Sequence, residues 1–596
     1  MPARSASWAG SGAGVELEAG FSVAGREVIP LEGRIGAGGA ALRVEPKAMA
    51  VLLELARHAP QLRTRRQIEQ AVWPRGYVSE DVLTRCIGQL RRALGDDARA
   101  PRLLETLPRR GYRLCAAVEP IGAAALQAAP VRSGGQPETL LVLPFRHLAA
   151  QPEGYVAEGL TELLTLRLCS LRGVRILSRT SAAQFADARI SVADIAARTG
   201  ADWIVEGSVL QAGDRVQVIV QLIDARTDAH IWAADHTRGL GDLLAVQNDI
   251  AQSVATAIRA QLGVAQAAAP AALALGPAAV RDYLRGRHLL SRRSVPALRE
   301  AIGAFATVSQ AQPDYAPAWA SRAECEMLLM HYGAEAPAAL LADCQAHLER
   351  ALALDPDLAI GLSTRGAMRF FFALDFDGAA RDLEQALGLL PSYGLAMVQL
   401  ASVAAVRGRF DEARAWIEQA LLVDPLDVGV NMNLGDHLIL QRCHADAVQA
   451  LQRALALAPA HRPSQLRLAW ALALDGRAAA ALEVLNGCGP NGDADAGWLE
   501  SAALVAAANG DRALALRHDA DLGRLAQRQR VAPWSLARSA AAAGRLDAAL
   551  AALAEAQRER SSSWPFLRLS PAFEAMHGDA RFEALAAALP AVPSGR

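Results

Sequence analysis

Arg85, Gln89 and Arg92 stand four and three residues apart in the stretch 79–95, SEDVLTRCIGQLRRALG, with no acidic residue after Asp81. Guanidinium and carboxamide groups make paired hydrogen bonds to base edges, so the chemistry open to these three is readout in a major groove. They share a face only if the stretch is a helix of 3.6 residues per turn. In that helix Val82, Leu83, Cys86, Ile87, Leu90, Ala93 and Leu94 fall on the opposite, apolar side, while Arg91 joins the polar face. Ser79 is a plausible N-cap with Glu80 and Asp81 at the positive end of the dipole, and Gly95 a plausible C′ residue. A helix that merely shows water its polar side fits this stretch equally well, so its flanks must decide.

Upstream, Met49, Leu52, Leu53, Leu55 and Ala56 make a short amphipathic helix starting near Pro46. Thr64-Arg65-Arg66-Gln67 has the pattern of a capping box, with Ile68, Ala71 and Val72 as the buried face of a second helix. Arg65 and Arg66 sit at that helix's start, where backbone amides and basic side chains meet phosphate. Downstream, 103–107 and 112–115 read as strands joined by Pro108-Arg109-Arg110-Gly111. Three helices followed by a basic-tipped hairpin are a winged helix-turn-helix.

The run 44–114 resembles the OmpR/PhoB-type DNA-binding domain. The matching pieces are EPKAMAVLLELARH (45–58), TRRQIEQAVW (64–73), YVSEDVLTRCIGQLRRALGDD (77–97) and PRLLETLPRRGYRL (101–114). The last two look most like the ToxR/CadC subgroup. The resemblance implies that the third helix enters the major groove and the wing the adjacent minor groove. It carries groove contacts onto Thr84, Arg85, Gln89 and Arg92, and wing contacts onto Arg109 and Arg110. Gly88 and Gln89 depart from the more basic helix common in the family.

Charge points the same way. Residues 21–117 hold seventeen Lys/Arg against ten Asp/Glu, a surplus of seven, whereas the whole chain is at −1. A basic N-terminal block on a near-neutral body suggests one nucleic-acid-binding domain.

At 596 residues the chain exceeds one core, and about three to five domains are expected. The seven cysteines are scattered, odd in number and form no CxxC pair, which suits buried thiols in a reducing cytosol rather than disulfides or zinc. The twelve histidines show no ligand spacing. Residues 1–17 are Ala/Gly/Ser-rich, read as disordered, and lack the apolar core of a signal peptide. No receiver domain precedes the winged helix, so control is expected from the C-terminal side. The stretch 119–138 reads as a linker. No run of about eighteen uncharged apolar residues occurs, so a membrane span of the kind CadC-type relatives carry is not expected.

Residues 139–262 alternate strands and helices and then form a hairpin about Ala212-Gly213-Asp214, a mixed α/β pattern. They resemble a TolB-like or FlgO-like module through LPF (143–145), GLTELLTLRL (159–168), SRTS (178–181) and EGSVLQAGDRVQVIVQLIDARTDAHIW (206–232). That resemblance implies a fold and a signalling context, not an activity. The segment shows no Gly-rich phosphate loop, metal cluster or nucleophile elbow. Glu206-Gly207-Ser208 reads as a strand edge, and Asp224, Asp228, His230, Asp235 and His236 as polar ends of a hairpin.

After a second linker, 263–277, comes a repeat array. Its signature is ALALDP (351–356), ALGLLP (386–391), ALLVDP (420–425) and ALALAP (454–459), with Pro391, Pro425 and Pro459 spaced by 34. Gly408, Gly476, Gly510 and Gly544 share a 34-residue register in which Arg442 takes the remaining slot. Ala413, Ala447 and Ala481 mark close helix packing. This is the period of tetratricopeptide repeats. The longer spacing from Pro313 to Pro356 suggests an insertion near 330–339, and the end of the chain looks like a terminal cap.

The expected architecture is therefore multidomain α and α/β. A winged-helix domain spans 18–118, a small mixed α/β domain 139–262, and an all-α tetratricopeptide solenoid 278–596. The expected function is a cytoplasmic, one-component transcriptional regulator that is not an enzyme and uses no cofactor or metal. Its partners are double-stranded promoter DNA and an unidentified peptide, protein or small-molecule effector on the array. RNA polymerase and a second copy of the chain stay open as partners, and no membrane is involved. The rival readings are a repeat scaffold localised on DNA and an enzyme within the middle domain. TolB-like modules and repeats also accompany class III nucleotide cyclases, but the chain carries no cyclase domain pattern.

Overall fold

A computed structural model describes residues 21–30, 34–36, 42–72, 80–97, 101–107, 110–120, 137–148, 155–186, 190–262, 275–490, 492 and 495–590. The expected disorder at 1–17, the interior of both linkers and the Ser79 N-cap lie outside these residues. Two compact units are formed, divided at Gln136 and Pro137, with Gln221–Ala233 and Thr256–Gln266 grouped with the first.

The first unit opens on strands β1 (Phe21–Val23), β2 (Arg26–Ile29), β3 (Arg34–Ile35) and β4 (Leu42–Arg43). Helices α1 (Pro46–Arg57), α2 (Arg65–Val72) and α3 (Glu80–Leu94) follow. The hairpin β5 (Leu104–Leu107) and β6 (Gly111–Leu114) comes next, and β7 (Val118–Pro120) returns to pair antiparallel with β1. The N-terminal sheet thus runs β4-β3-β2-β1-β7, and Glu119 and Pro120 belong to it rather than to a linker. One core unites Phe21, Val28, Leu52, Leu55, Ile68, Leu83, Ile87, Leu90 and Leu114. Ala71, expected inside, is exposed: the short α2 buries only Ile68 and Val72.

In the second part of the chain, β8 (Glu138–Val142), β9 (Arg146–His147), α4 (Tyr155–Leu168), β10 (Val174–Ile176), α5 (Arg179–Ala183) and α6 (Val192–Thr199) lead into β11 (Trp203–Ala212), β12 (Arg215–Asp224) and β13 (Ala229–Gly239). The sheet order is β10-β8-β11-β12-β13, with β9 beside β11. Strand β8 is parallel to both β10 and β11. Asp224 closes the β12–β13 turn by accepting from the backbone N–H groups of Arg226 and Thr227 at 3.0 and 3.4 Å. No group of His, Cys, Asp and Glu among the described residues could hold a metal. A helix unmarked in the sequence reading, α7 (Leu243–Leu262), completes this segment.

The array consists of eight antiparallel helix pairs among the described residues. These are α8/α9 (Pro277–Ser291, Val295–Ala311), α10/α11 (Ala316–His331, Pro337–Leu354), α12/α13 (Ala359–Met368, Phe376–Leu389), α14/α15 (Gly394–Val406, Phe410–Val423), α16/α17 (Val428–Leu440, His444–Leu457), α18/α19 (Arg462–Leu474, Ala478–Cys488), α20/α21 (Ala496–Ala508, Arg512–Ala526) and α22/α23 (Pro533–Ala542, Leu546–Arg558). From α13 onward the second helices begin at 376, 410, 444, 478, 512 and 546, every 34 residues. Ala413, Ala447 and Ala481 are fully buried where these helices cross. The expected insertion is not a loop. Helices α10 and α11 are themselves longer, 16 and 18 residues, which keeps the added backbone hydrogen-bonded.

The turn inside each pair passes through a left-handed residue. Arg293, Gly333, Leu374, Gly408, Arg442, Gly476, Gly510 and Gly544 have φ of 51°, 69°, 56°, 73°, 63°, 77°, 81° and 72°. Glycine adopts this conformation freely, whereas a residue with a Cβ pays about 1–2 kcal/mol. The chain ends in short 3₁₀ turns, Trp564–Phe566 and Pro571–Met576, and in α24 (Ala580–Ala586).

The seven cysteines are all free, but they are not uniformly buried: Cys115 is exposed and Cys443 and Cys488 are half-buried. No helix among the described residues is long and apolar enough to cross a membrane.

Candidate nucleic-acid interface

The helix α3 is positioned by its apolar face. Leu83, Cys86, Ile87, Leu90, Ala93 and Leu94 are buried, each at most 4% exposed. Thr84, Arg85, Gly88 and Arg92 are exposed on the other side, and Gln89 is half-buried between them. Its C-terminus closes in a Schellman motif: Asp96 N–H donates to Arg91 O at 2.9 Å and Gly95 N–H to Arg92 O at 3.3 Å, with Gly95 left-handed at φ +67°.

The helix α2 begins with the expected capping box. Thr64 N–H donates to Gln67 Oε1 at 2.9 Å, and Gln67 N–H donates to Thr64 Oγ1 at 3.3 Å. Lys47 Nζ caps the other end by donating to Val72 O at 2.9 Å. Arg66 is exposed, while Arg65 is half-buried and its Nη2 donates to Thr84 Oγ1 on α3 at 2.9 Å. Two residues read separately in the sequence are therefore joined. Thr84 presents a hydroxyl already engaged by a guanidinium, and Arg65 is held at the junction of α2 and α3.

The hairpin is fastened to α3 by residues that the sequence reading did not single out. Arg91 turns away from the exposed face. Its Nη2 donates to Leu104 O and to Thr106 Oγ1, both at 2.8 Å. Asp96 accepts from the backbone N–H groups of Arg102, Leu103 and Leu104 at 2.8, 3.1 and 2.9 Å. Partial burial raises the Asp96 pKa, but those three donors and the Arg91 charge outweigh it, and its carboxyl lies below the ordinary value. A signal was present: an acidic residue directly after a helix-ending glycine is placed to cap whatever follows.

The turn end of the hairpin also pairs with the chain before α2. Arg63 N–H donates to Tyr112 O at 2.9 Å, and Tyr112 N–H to Arg63 O at 3.0 Å. A Cβ on Gly111 would lie 2.1 Å from Arg63 O, and its φ is +140°, so only glycine fits there. Arg63 in turn pairs with the buried Glu54 of α1. At the tip, Arg110 is exposed and Arg109 lies outside the described residues. A basic hairpin tip is thereby set rigidly beside a helix whose free face carries Arg85, Gln89 and Arg92. Such a surface suits phosphate and base-edge contacts.

Residues 39–114 match the family described as transcriptional regulatory protein, C terminal. The N-terminal domain is of the OmpR/PhoB type. Residues 373–430 and 408–462 each match a tetratricopeptide-repeat family, so the helix pairs of the array are tetratricopeptide repeats. Among characterised proteins, the chain is similar to an adenylate cyclase by name from Rhizobium meliloti, 32% identical over 125 residues, 21% of each chain. It is similar to the transcriptional activator CadC of Escherichia coli, 34% identical over 88 residues, 15% of this chain and 17% of that one. A longer similarity, 21% identity over 435 residues, joins it to the transcriptional regulator HilA of Salmonella typhimurium, covering 72% of this chain and 69% of the relative. The matched stretches of the first two span about a fifth of those relatives.

Proposed function

We propose that this protein is a one-component transcriptional regulator that binds promoter DNA through its N-terminal domain. The observation that carries the reading is the exposed face of α3, with Arg85, Gln89 and Arg92 free of the core and the hairpin tip at Arg110 fastened beside it. On this reading α3 lies in the major groove, where Arg85 and Gln89 read base edges and Arg92 reaches the backbone. Thr84 and Arg65 act as one hydrogen-bonded unit at the edge of the groove. Arg66 meets phosphate at the start of α2, and Arg109 and Arg110 enter the adjacent minor groove.

The repeat array supplies the second half of the function, sensing an effector or recruiting a partner along its stacked helices. Binding of RNA polymerase or pairing with a second copy would occur from a cytoplasmic location. The short similarity to a protein named as a cyclase is to a fifth of that chain. The test is a genome-wide binding map followed by a mobility-shift assay on the mapped sites. A chain that binds mapped and scrambled DNA with equal affinity at physiological salt is not a sequence-reading regulator, and the work would then rest with the repeats.

A further inference from the structure

From the third pair onward the left-handed turn positions of the array form a register of six, spaced by 34 residues, and four of them are glycine. The two that are not, Leu374 and Arg442, share one property. Each places its side chain against the C-terminal segment 562–576. Leu374 packs against the cluster of Trp534, Trp564, Leu567 and Phe573. Arg442 Nη1 donates to Leu569 O at 2.8 Å, and its Nε lies 3.7 Å from the Glu574 carboxylate. At Gly476 and Gly510 a Cβ would meet nothing, so glycine is present there for conformation alone. Within this register the strained conformation is borne by a side-chain residue where that side chain holds the segment; Arg293, left-handed at φ 51° in the turn of the first pair, lies outside the register and faces Glu324 instead.

The segment makes further contacts between and beyond these two points. Phe566 stands edge-on to Phe370, with centroids 5.7 Å apart and planes at 63°. Leu569 packs on the same cluster. Ser562 Oγ donates to His331 O at 3.2 Å. A terminal cap needs only to cover the last helix pair, which the edge-on contact of Phe573 with Trp534 at 5.1 Å already does. Residues 562–576 go on to touch the second, third and fifth pairs. Stacking of neighbours alone does not produce such contacts in a solenoid.

We infer that residues 562–576 are a built-in ligand of the array, seated on a peptide-docking surface made by Phe370, Leu374 and Arg442. The partner that fits this surface is a protein segment of the same chemistry. It carries aromatic side chains about a proline, as in Trp564-Pro565-Phe566, followed by a backbone carbonyl within reach of a guanidinium. Such a partner and the internal segment compete, so the array is open to it only in the fraction of molecules whose own segment has lifted. The inference does not depend on DNA binding.

The test uses the full chain. Arg442→Gly and Leu374→Gly install the residue that four other turns already use, removing the contact while relieving the backbone. Hydrogen exchange of residues 562–576 is expected to quicken by roughly tenfold or more in either variant, with the repeats as protected as before. Phe566→Ala, on the segment itself, leaves the docking surface intact and gives a second route to the same loosening. A labelled synthetic peptide of residues 562–576 is expected to bind the Phe566→Ala chain saturably, about tenfold more tightly than it binds wild type. Unchanged protection of 562–576 in all three variants overturns the inference. So does a loosened segment whose variant takes up no peptide, or peptide binding that is equal in wild type and variant.

Discussion

Arg91 and Thr106 face each other across 2.8 Å, a guanidinium nitrogen of the third helix donating to a hydroxyl of the hairpin strand. The same nitrogen also reaches Leu104 O, so this side chain, with Asp96, ties the hairpin to the third helix. Arg91→Ala is expected to destabilise the N-terminal domain by about 1.5–3 kcal/mol, the range for hydrogen bonds to a charged group. Arg91→Lys keeps the charge but not the forked geometry and should recover only part of this loss. Urea unfolding checks the stability. A shift assay should show both variants weakened on specific and random DNA alike, because Arg91 sets geometry and reads no base. Wild-type stability in Arg91→Ala would sink the positioning role.

Replacing a base-reading side chain differs in kind from replacing an anchor. Arg85→Ala and Gln89→Ala are expected to cost roughly 1–3 kcal/mol on the mapped site and little on random DNA. Arg66→Ala should weaken both equally and lower the salt slope by about one unit. Arg65→Ala is expected to do both, since it removes a cation and frees the Thr84 hydroxyl it holds at 2.9 Å. Titrations of both DNAs across a salt series measure all four. If Arg85 and Gln89 variants remain folded and bind the mapped site as wild type does, the third helix is not the reading element.

Much of this surface could be read in the chain because local rules and the global fold agree there. Thr64 and Gln67 form their capping box, Gly95 ends its helix left-handed, and the alternation of apolar residues in α3 matches what is buried. The residues that escaped reading act over distances that periodicity does not encode. Arg91 lies on the polar arc of α3, and only the position of the hairpin shows that it turns inward. The strand Val118–Pro120 is three residues long and owes its structure to pairing with β1, which no local propensity announces. In the array the period showed the turns plainly. What Arg442 does in a slot that four other turns fill with glycine depends on residues more than a hundred positions away.

The N-terminal domain has its own core, from Phe21 through Leu114, and its β7 strand returns to β1. Residues 1–125 expressed alone are therefore expected to fold cooperatively and to bind DNA with the sequence preference of the full chain. A phosphodonor should leave the affinity of the full chain unchanged, because control is proposed to come from the repeat array. Circular dichroism and a shift assay on the fragment decide the first point. A phosphodonor-dependent change in affinity would overturn the second.

Asp424 ties the middle segment to the array, and its titration gives a pH dependence with a definite sign. Its carboxylate, only 3% exposed, accepts from Ser181 Oγ. Beside it, Arg175 Nη1 donates to Leu422 O at 2.9 Å and Gln184 Nε2 to Leu426 O at 2.9 Å. Burial, and then the neighbouring Asp427, push the Asp424 carboxyl up from 3.8 to about 7 against the help of Ser178 and Ser181. A raised carboxyl pKa means that the packed state holds its proton longer than the opened one. The contact is therefore most stable below about pH 4 and weakens as pH rises toward 7, because the packed state must then bury a charge. The loss is on the order of a few kcal/mol at most, taking about 1.4 kcal/mol per pKa unit. Asp424→Asn keeps an acceptor for Ser181 and cannot ionise, so its contact should not weaken over this window. Hydrogen exchange of residues 174–184 measures the difference, read as the ratio of variant to wild-type protection at each pH to cancel the intrinsic pH dependence of exchange. That ratio should rise from pH 5 to pH 8. A flat ratio would mean that Asp424 titrates alike in the packed and opened states, and that the contact is held by Arg175 and Gln184 alone.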